Sequence, residues 1–348
     1  APVINLPVHY YVAPDGNDEH SGLEVAQPFK TLQHALSLAK AGSTIYLAPG
    51  DYVEDVSTQR DGQADAPITI IGPPTAVLHG TGKVSIAFLV NHDYYTLVGF
   101  TIDGLHGDPA KAKSYTDKLL YAQGYQPHKG VTGLHVLNMT LKNAAGECVR
   151  LRYFAHANEI AYSTILNCGR NDFQFGDDGK NGEGIYVGTS SNQWNDGKNP
   201  TADPDESTDN WIHHNRIDTQ ASECVDIKEG AHNNIIEYNN CTGQRDKDGG
   251  GLDAEGMGSE DAAGWAEVGE VGGRIAAGPG EHVDLVLEVD GVGLAGGGEL
   301  LEVVAAELGT GGLARVLDGG KENGDQDRDD GDDNEEFDEG EGARGAPS

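Results

Sequence analysis

Asn210-Trp211-Ile212-His213-His214-Asn215 and Asn234-Ile235-Ile236-Glu237-Tyr238-Asn239 repeat one pattern at a spacing of 24 residues. Asn158-Glu159-Ile160-Ala161-Tyr162 carries it earlier in the chain. A second series accompanies the first: Glu147-Cys148-Val149-Arg150-Leu151-Arg152, Glu183-Gly184-Ile185-Tyr186-Val187-Gly188, Glu223-Cys224-Val225-Asp226-Ile227-Lys228 and, more weakly, Gly250-Gly251-Leu252-Asp253-Ala254-Glu255. Inward and outward residues alternate along both series with the period of a β-strand. Such strands, joined by Gly and Asn turns on a common repeat, predict stacked coils, because each coil buries its apolar side only against the next. Leucine-rich repeats have a similar period but require a fixed Leu framework, and these strands mix Ile, Val, Leu and Cys. The expected class is all-β: a right-handed parallel β-helix solenoid over residues 1–256, with an N-terminal capping helix and an irregular acidic C-terminal tail.

Longer spacings mark insertions. Residues 189–209 are rich in Ser, Asn, Asp and Pro and read as one loop between coils. Toward the N-terminus, Phe29, Leu32, Ala35, Leu36 and Ala39 line one face of an expected helix at 28–41 that stops at Gly42. A helix there covers the open end of the stack, which otherwise exposes core and strand edges. Thr44-Ile45-Tyr46-Leu47 and Ile68-Thr69-Ile70-Ile71 are the expected first strands.

The formal charge of −34 argues against nucleic acid as a partner, since phosphates are bound by clustered Lys and Arg. The charge is uneven, with a net −13 over 1–250 and −21 over 251–348. Residues 257–348 hold no Tyr, no Cys and a single Ile, so the coil pattern cannot be drawn through them. They read as a low-complexity Gly/Ala/acidic segment, either disordered or translated out of frame. No apolar run reaches the roughly 18 to 20 residues of a membrane span. A start at Ala1 fits a chain freed of a signal peptide, and the expectation is a secreted monomer.

Residues 8–256 resemble the right-handed parallel β-helix superfamily, the pectate-lyase-like fold. The resemblance rests on Tyr10-Tyr11-Val12-Ala13-Pro14-Asp15-Gly16, Pro28-Phe29-Lys30-Thr31-Leu32, Ile45-Tyr46-Leu47-Ala48-Pro49-Gly50-Asp51-Tyr52 and the Asn-x-Ile strands. It implies a fold more than an activity, because such folds host lyases, hydrolases, epimerases and adhesins.

Strand parity directs Val149, Leu151, Ile185, Val187, Val225, Ile227, Leu252 and Ala254 inward. Arg150, Tyr186, Asp226 and Asp253 then form one outward column, and Arg152, Gly188, Lys228 and Glu255 a second, at about 4.8 Å per coil. This mixture of cations, a phenol and carboxylates suits β-elimination on an acidic polysaccharide. That chemistry removes a proton beside a carboxylate whose charge must be neutralised. Lys228 is the candidate base, Tyr186 the donor to the leaving oxygen, and Arg150 and Arg152 the holders of substrate carboxylates. Glu223, Asp226 and Asp253 are hard-oxygen candidates for Ca²⁺. Glu223-Cys224-Val225-Asp226-Ile227-Lys228-Glu229-Gly230 resembles the strand and following Lys of the polysaccharide lyases that include chondroitinase B and alginate lyases. That resemblance implies the same base and Ca²⁺ ligands, and an Arg on the next coil where this chain has Glu255.

Two other readings use the same residues differently. A glycoside hydrolase of the polygalacturonase sort needs paired carboxylates, and Asp172, Asp177, Asp178 and Glu183 lie close in sequence. A binding protein uses the outward face as a platform, with its charges simply solvated. His213 and His214 alternate along one strand and are expected on opposite faces, as structural imidazoles. Cys148 and Cys224 share a column two coils apart, about 9.6 Å from the coil rise, beyond disulfide reach. Cys168 and Cys241 differ in register, so all four thiols are expected to be free.

Overall fold

The computed structural model describes residues 7–176 and 181–246, together with the backbone of Leu252–Ala254, Val271–Ala277 and Val283–Val289. All of these lie within the unit Ala1–Ala295. Each coil contributes one strand to each of three sheets, and the strands within a sheet come from successive coils. The first sheet runs from His9–Val12 through Thr44–Leu47, Ile68–Ile71, Tyr95–Val98, His135–Leu137, Glu159–Ala161 and Trp211–His213 to Ile235–Glu237, in parallel throughout. The second runs from Gly50–Val53 to Asn240–Thr242, and the third from Val56–Ser57 to Leu252–Ala254. This is the parallel β-helix expected from the repeat. The stack begins one strand earlier than expected, at His9–Val12, which pairs with Thr44–Leu47.

The expected parity holds where side chains are described: Val149, Leu151, Ile185, Val187, Val225 and Ile227 belong to one continuous core. The corners are closed by asparagine. Asn158, Asn210 and Asn234 stack along the axis, Asn158 Nδ2 donating to Asn210 Oδ1 at 2.8 Å and Asn210 Nδ2 to Asn234 Oδ1 at 2.8 Å. A parallel ladder joins Asn215 Nδ2 to Asn239 Oδ1 at 2.9 Å. The Asn at each end of the repeated motif therefore satisfies backbone groups that a tight corner leaves unpaired.

The helix is shorter than the periodicity implies, spanning Leu32–Leu38. Phe29 instead bridges to Val12 in the first coil. The expected apolar face is nonetheless the buried one, since Phe29, Leu32, Ala35, Leu36 and Ala39 all belong to the core. Thr31 caps the helix by accepting from His34 N, and the Glu54 carboxylate accepts from Leu32 N and Gln33 N.

Two expectations about side chains are corrected. Cys148 and Cys168 form a disulfide with a Cα separation of 5.6 Å. The column spacing between Cys148 and Cys224 did not bear on it, because the bond joins successive coils at the corner between the second and third sheets. His213 and His214 also meet, their Nδ1 atoms 2.9 Å apart. The strand ends at His213, and His214 has a positive φ of 53° that turns its ring back toward its neighbour.

At the far end, Val271–Ala277 pairs antiparallel with Ile235–Glu237, and Val283–Val289 pairs antiparallel with Val271–Ala277. Apart from these strands, the expectations for 257–348 fall outside the described residues.

Candidate functional site

The third sheet carries the outward residues singled out above. Arg150, Tyr186 and Asp226 are register partners on adjacent strands, and the backbone of Asp253 continues the column. The Asp253 side chain and all of Glu255 lie outside the described residues, as do Asp177 and Asp178. The column is compact. The Arg150 guanidinium lies 3.8 Å from the Tyr186 ring centroid, Lys228 Nζ lies 5.4 Å from that ring, and Lys228 Nζ is 2.9 Å from Asp226 Oδ2. Arg150, Tyr186, Asp226 and Lys228 thus share one wall.

The two arginines face out of the sheet but not into open solvent, which corrects the expectation of freely presented guanidiniums. Arg150 Nη1 donates to Glu147 Oε1 at 2.8 Å. Arg152 Nε donates to Asn199 Oδ1 at 2.7 Å, and its Nη2 lies 3.5 Å from Asp196. Asn199 and Asp196 belong to the 189–209 insertion, which folds over this part of the wall. Arg150 and Arg152 are left only 4% and 3% exposed, so a polymer reaches them only if the insertion moves.

A carboxylate ladder runs beside the column. Glu147, Glu183 and Glu223 each lie two residues before a third-sheet strand, at equivalent places on successive coils. At the first rung Glu147 meets Arg150 and Lys118, whose Nζ lies 2.8 Å from Oε2. Burial pushes Glu147 up, but the charges of Arg150 and Lys118 overcome this and hold it below the ordinary carboxylate range. Below it, Glu183, Glu223 and Asp226 each offer an oxygen within 4.8 Å of the others, and all three are buried. Burial, followed by the charge of Glu147, pushes Glu183 up to about 7. Asp226 is raised well above its ordinary value, chiefly by burial, with Lys228 opposing.

Of the expected metal trio, the Asp253 side chain lies outside the described residues. Glu223 and Asp226 come together, and the third member among the described residues is Glu183. Sequence proximity grouped Glu183 with Asp172, whereas Asp172 is engaged elsewhere, accepting from Asn181 N at 2.9 Å. The overlooked signal is that Glu183 opens the same strand pattern as Glu223. Its backbone is fixed by close packing: a Cβ on Gly182 would lie 2.6 Å from Ala221 Cβ and 2.8 Å from Gly169 Cα.

This donor set fits a hard divalent cation. The oxygens come from carboxylates, three like charges converge in a buried site, and among the described residues nothing hydrogen-bonds Asp226 Oδ1. Without a cation, mutual repulsion and desolvation favour protonation, which is the direction in which Glu183 and Asp226 are shifted.

A family model described as protein of unknown function (DUF1565) matches residues 14–270. Among curated proteins the chain is similar to the uncharacterized protein YwoF of Bacillus subtilis (strain 168), with 38% identity over 136 residues, 37% of this chain and 28% of that protein. A stretch of 67 residues is 37% identical to pectate lyase PEL9 of Emericella nidulans and covers 19% of this chain and 16% of that one. The matched part therefore spans less than a third of either relative. Among solved structures, alginate lyase from Paenibacillus sp. str. FPU-7 is similar at a TM-score of 0.51 and 25% identity, over 64% of this chain and 70% of that one. No helix among the described residues is long and apolar enough to cross a membrane.

Proposed function

The chain belongs to the DUF1565 family, a parallel β-helix family defined without an assigned activity, and on that premise we propose that its third-sheet wall is a polysaccharide lyase site for a uronic-acid polymer. The observation that carries this reading is the convergence of Glu183, Glu223 and Asp226, with one Asp226 oxygen that has no hydrogen-bond partner among the described residues, beside the Lys228 ammonium. The partial similarity to an alginate lyase and to a pectate lyase supports it.

Elimination from a uronate removes the C5 proton and builds negative charge onto the neighbouring carboxylate. Lys228 is the base, and for that its pairing with Asp226 must open. Tyr186, held face-on by Arg150, donates to the departing glycosidic oxygen. Arg150 acts as a positioning residue, while Arg152 meets a substrate carboxylate when the insertion lifts. Glu183, Glu223 and Asp226 would hold Ca²⁺, with Asp253 a further candidate from the next coil, and the ion when bound supplies positive charge for the substrate carboxylate. The Cys148–Cys168 bond is of a kind kept in oxidising compartments, which supports action outside the cell.

Incubating the full chain with alginate, polygalacturonate and chondroitin sulfate, with Ca²⁺ or with chelator, tests this through the ultraviolet absorbance of unsaturated ends. The expected result is Ca²⁺-dependent product from one polymer, reduced about 100-fold or more in Lys228→Ala. Undiminished product in that variant would remove Lys228 from the base role. A glycoside hydrolase is the second reading, favoured by a Glu183 carboxyl raised to about 7, as a general acid requires. New reducing ends without unsaturation would select it, and saturable binding without cleavage would select a carbohydrate platform.

A further inference from the structure

The Cys148–Cys168 bond follows a rule of position. Its first member stands immediately before a third-sheet strand, Val149–Arg152, and its second lies just past the second-sheet strand of the next coil, Thr164–Leu166. The remaining two cysteines form a related pair farther along the stack, with Cys241 three register positions ahead of the place that Cys168 holds. Cys224 stands immediately before Val225–Ile227, and Cys241 lies within Asn240–Thr242, the second-sheet strand of the following coil. The sequence separations are similar, 20 residues for the bonded pair and 17 for the other.

Side-chain placement agrees. Cys224 belongs to the buried core, and Cys241 packs against it as a partly buried neighbour. The Cys224 thiol lies 3.7 Å from Ile217 O, and Ile217 is the register partner of Cys241 on the adjacent strand. Gln244 Nε2 contacts Cys224 Sγ from the following turn at 2.6 Å.

We propose that Cys224 and Cys241 are a second cross-linking site, forming an inter-coil disulfide that ties the strand bearing Glu223 and Asp226 to the next coil. The oxidant is a low-molecular-weight disulfide such as oxidised glutathione. The half-buried Cys241, as thiolate, attacks the glutathione S–S bond, forms a mixed disulfide and expels one glutathione thiolate. Cys224 then loses its proton, attacks Cys241 Sγ and expels the second. Two protein thiols and one oxidised glutathione become one protein disulfide and two reduced glutathiones. Cys224 is buried and Cys241 only partly so, which makes Cys241 the first to meet the oxidant and Cys224 the resolving partner.

The test leaves the chain unaltered and does not depend on any catalytic role. The full chain is incubated with a glutathione redox buffer, denatured in excess N-ethylmaleimide, digested without reductant and mapped by mass spectrometry. The expected result is a peptide pair joining Cys224 to Cys241, two hydrogens lighter than the separate thiols, alongside the Cys148–Cys168 pair. A double variant, Cys148→Ala with Cys168→Ala, is expected to form the same Cys224–Cys241 pair. The proposal is overturned if both thiols are recovered as maleimide adducts, if Cys241 stops at the glutathione mixed disulfide, or if Cys224 is found joined to Cys148 or Cys168.

Discussion

Asn210 shows how one side chain can hold three coils together. Its Oδ1 accepts from Asn158 N and Asn158 Nδ2, while its Nδ2 donates to Ala155 O and Asn234 Oδ1. All of these groups are buried, so truncation strands donors and acceptors on both neighbouring coils, at about 1–3 kcal/mol for each group left unsatisfied. Asn210→Ala is therefore expected to lose about 3 kcal/mol or more of stability, measured by chemical denaturation, and Asn210→Asp to fare little better because it lacks the amide donors. A loss below about 0.5 kcal/mol would mean that water replaces the ladder. The recurrence of Asn at 158, 210 and 234 is plain in the sequence and reads correctly as a corner. Its role in bonding between coils is not, because the partners are set by stacking across 24 and 52 residues. Glu183 is obscured for the same reason. Nearby acids such as Asp172 dominate a linear reading, while its stacking neighbour Glu223 is 40 positions away.

At the scale of elements, the 189–209 insertion determines how much of the wall can be reached. It is pinned by Asp205, whose carboxylate accepts from Tyr153 N, Phe154 N, Thr189 Oγ1 and Ser207 Oγ. Tyr153 and Phe154 follow directly on the strand that carries Arg150 and Arg152, and both have positive φ, at 61° and 57°. Asp205 thus stabilises a strained corner and the covering segment together. Asp205→Ala is expected to speed amide exchange at Tyr153 and Phe154 and to open 189–209 to limited proteolysis, with a stability loss of about 2 kcal/mol or more. Unchanged exchange at both amides would show that Asn199 and Asp196, through Arg152, suffice to hold the cover. The sequence marks this segment as an insertion by its Ser, Asn, Asp and Pro content. Where the insertion folds depends on buried polar contacts that composition does not encode, which is why the arginines read as presented when they are covered. Strand parity is different in kind: period-two alternation directly determines which residues enter the core, and Val149 through Ile227 follow it.

For the molecule as a whole, stacking coils forces like charges together, and the consequence is a testable dependence on pH. Glu183, ordinarily 4.5 and here about 7, binds its proton more tightly folded than unfolded, and Asp226 shifts the same way. A raised carboxyl stabilises the fold fully below its unfolded value and loses that contribution as pH climbs through the folded one. Glu147, held low by Arg150 and Lys118 against the effect of burial, acts in the opposite sense, and its contribution fades only under more acid conditions. Between about pH 5 and pH 8 the raised pair governs this site, so without divalent cations the melting temperature is expected to fall across that interval. Glu183→Gln is expected to flatten the fall, which assigns it to this cluster rather than to groups elsewhere in the chain. A cation held by Glu183, Glu223 and Asp226 competes with those protons, so added Ca²⁺ is expected to raise the melting temperature more at pH 8 than at pH 5. Scanning calorimetry of the chelated and Ca²⁺-loaded chain at both pH values decides the matter. An equal Ca²⁺ effect at the two pH values, or the same effect in Glu183→Gln as in the parent, would show that the three carboxylates are not where the ion binds.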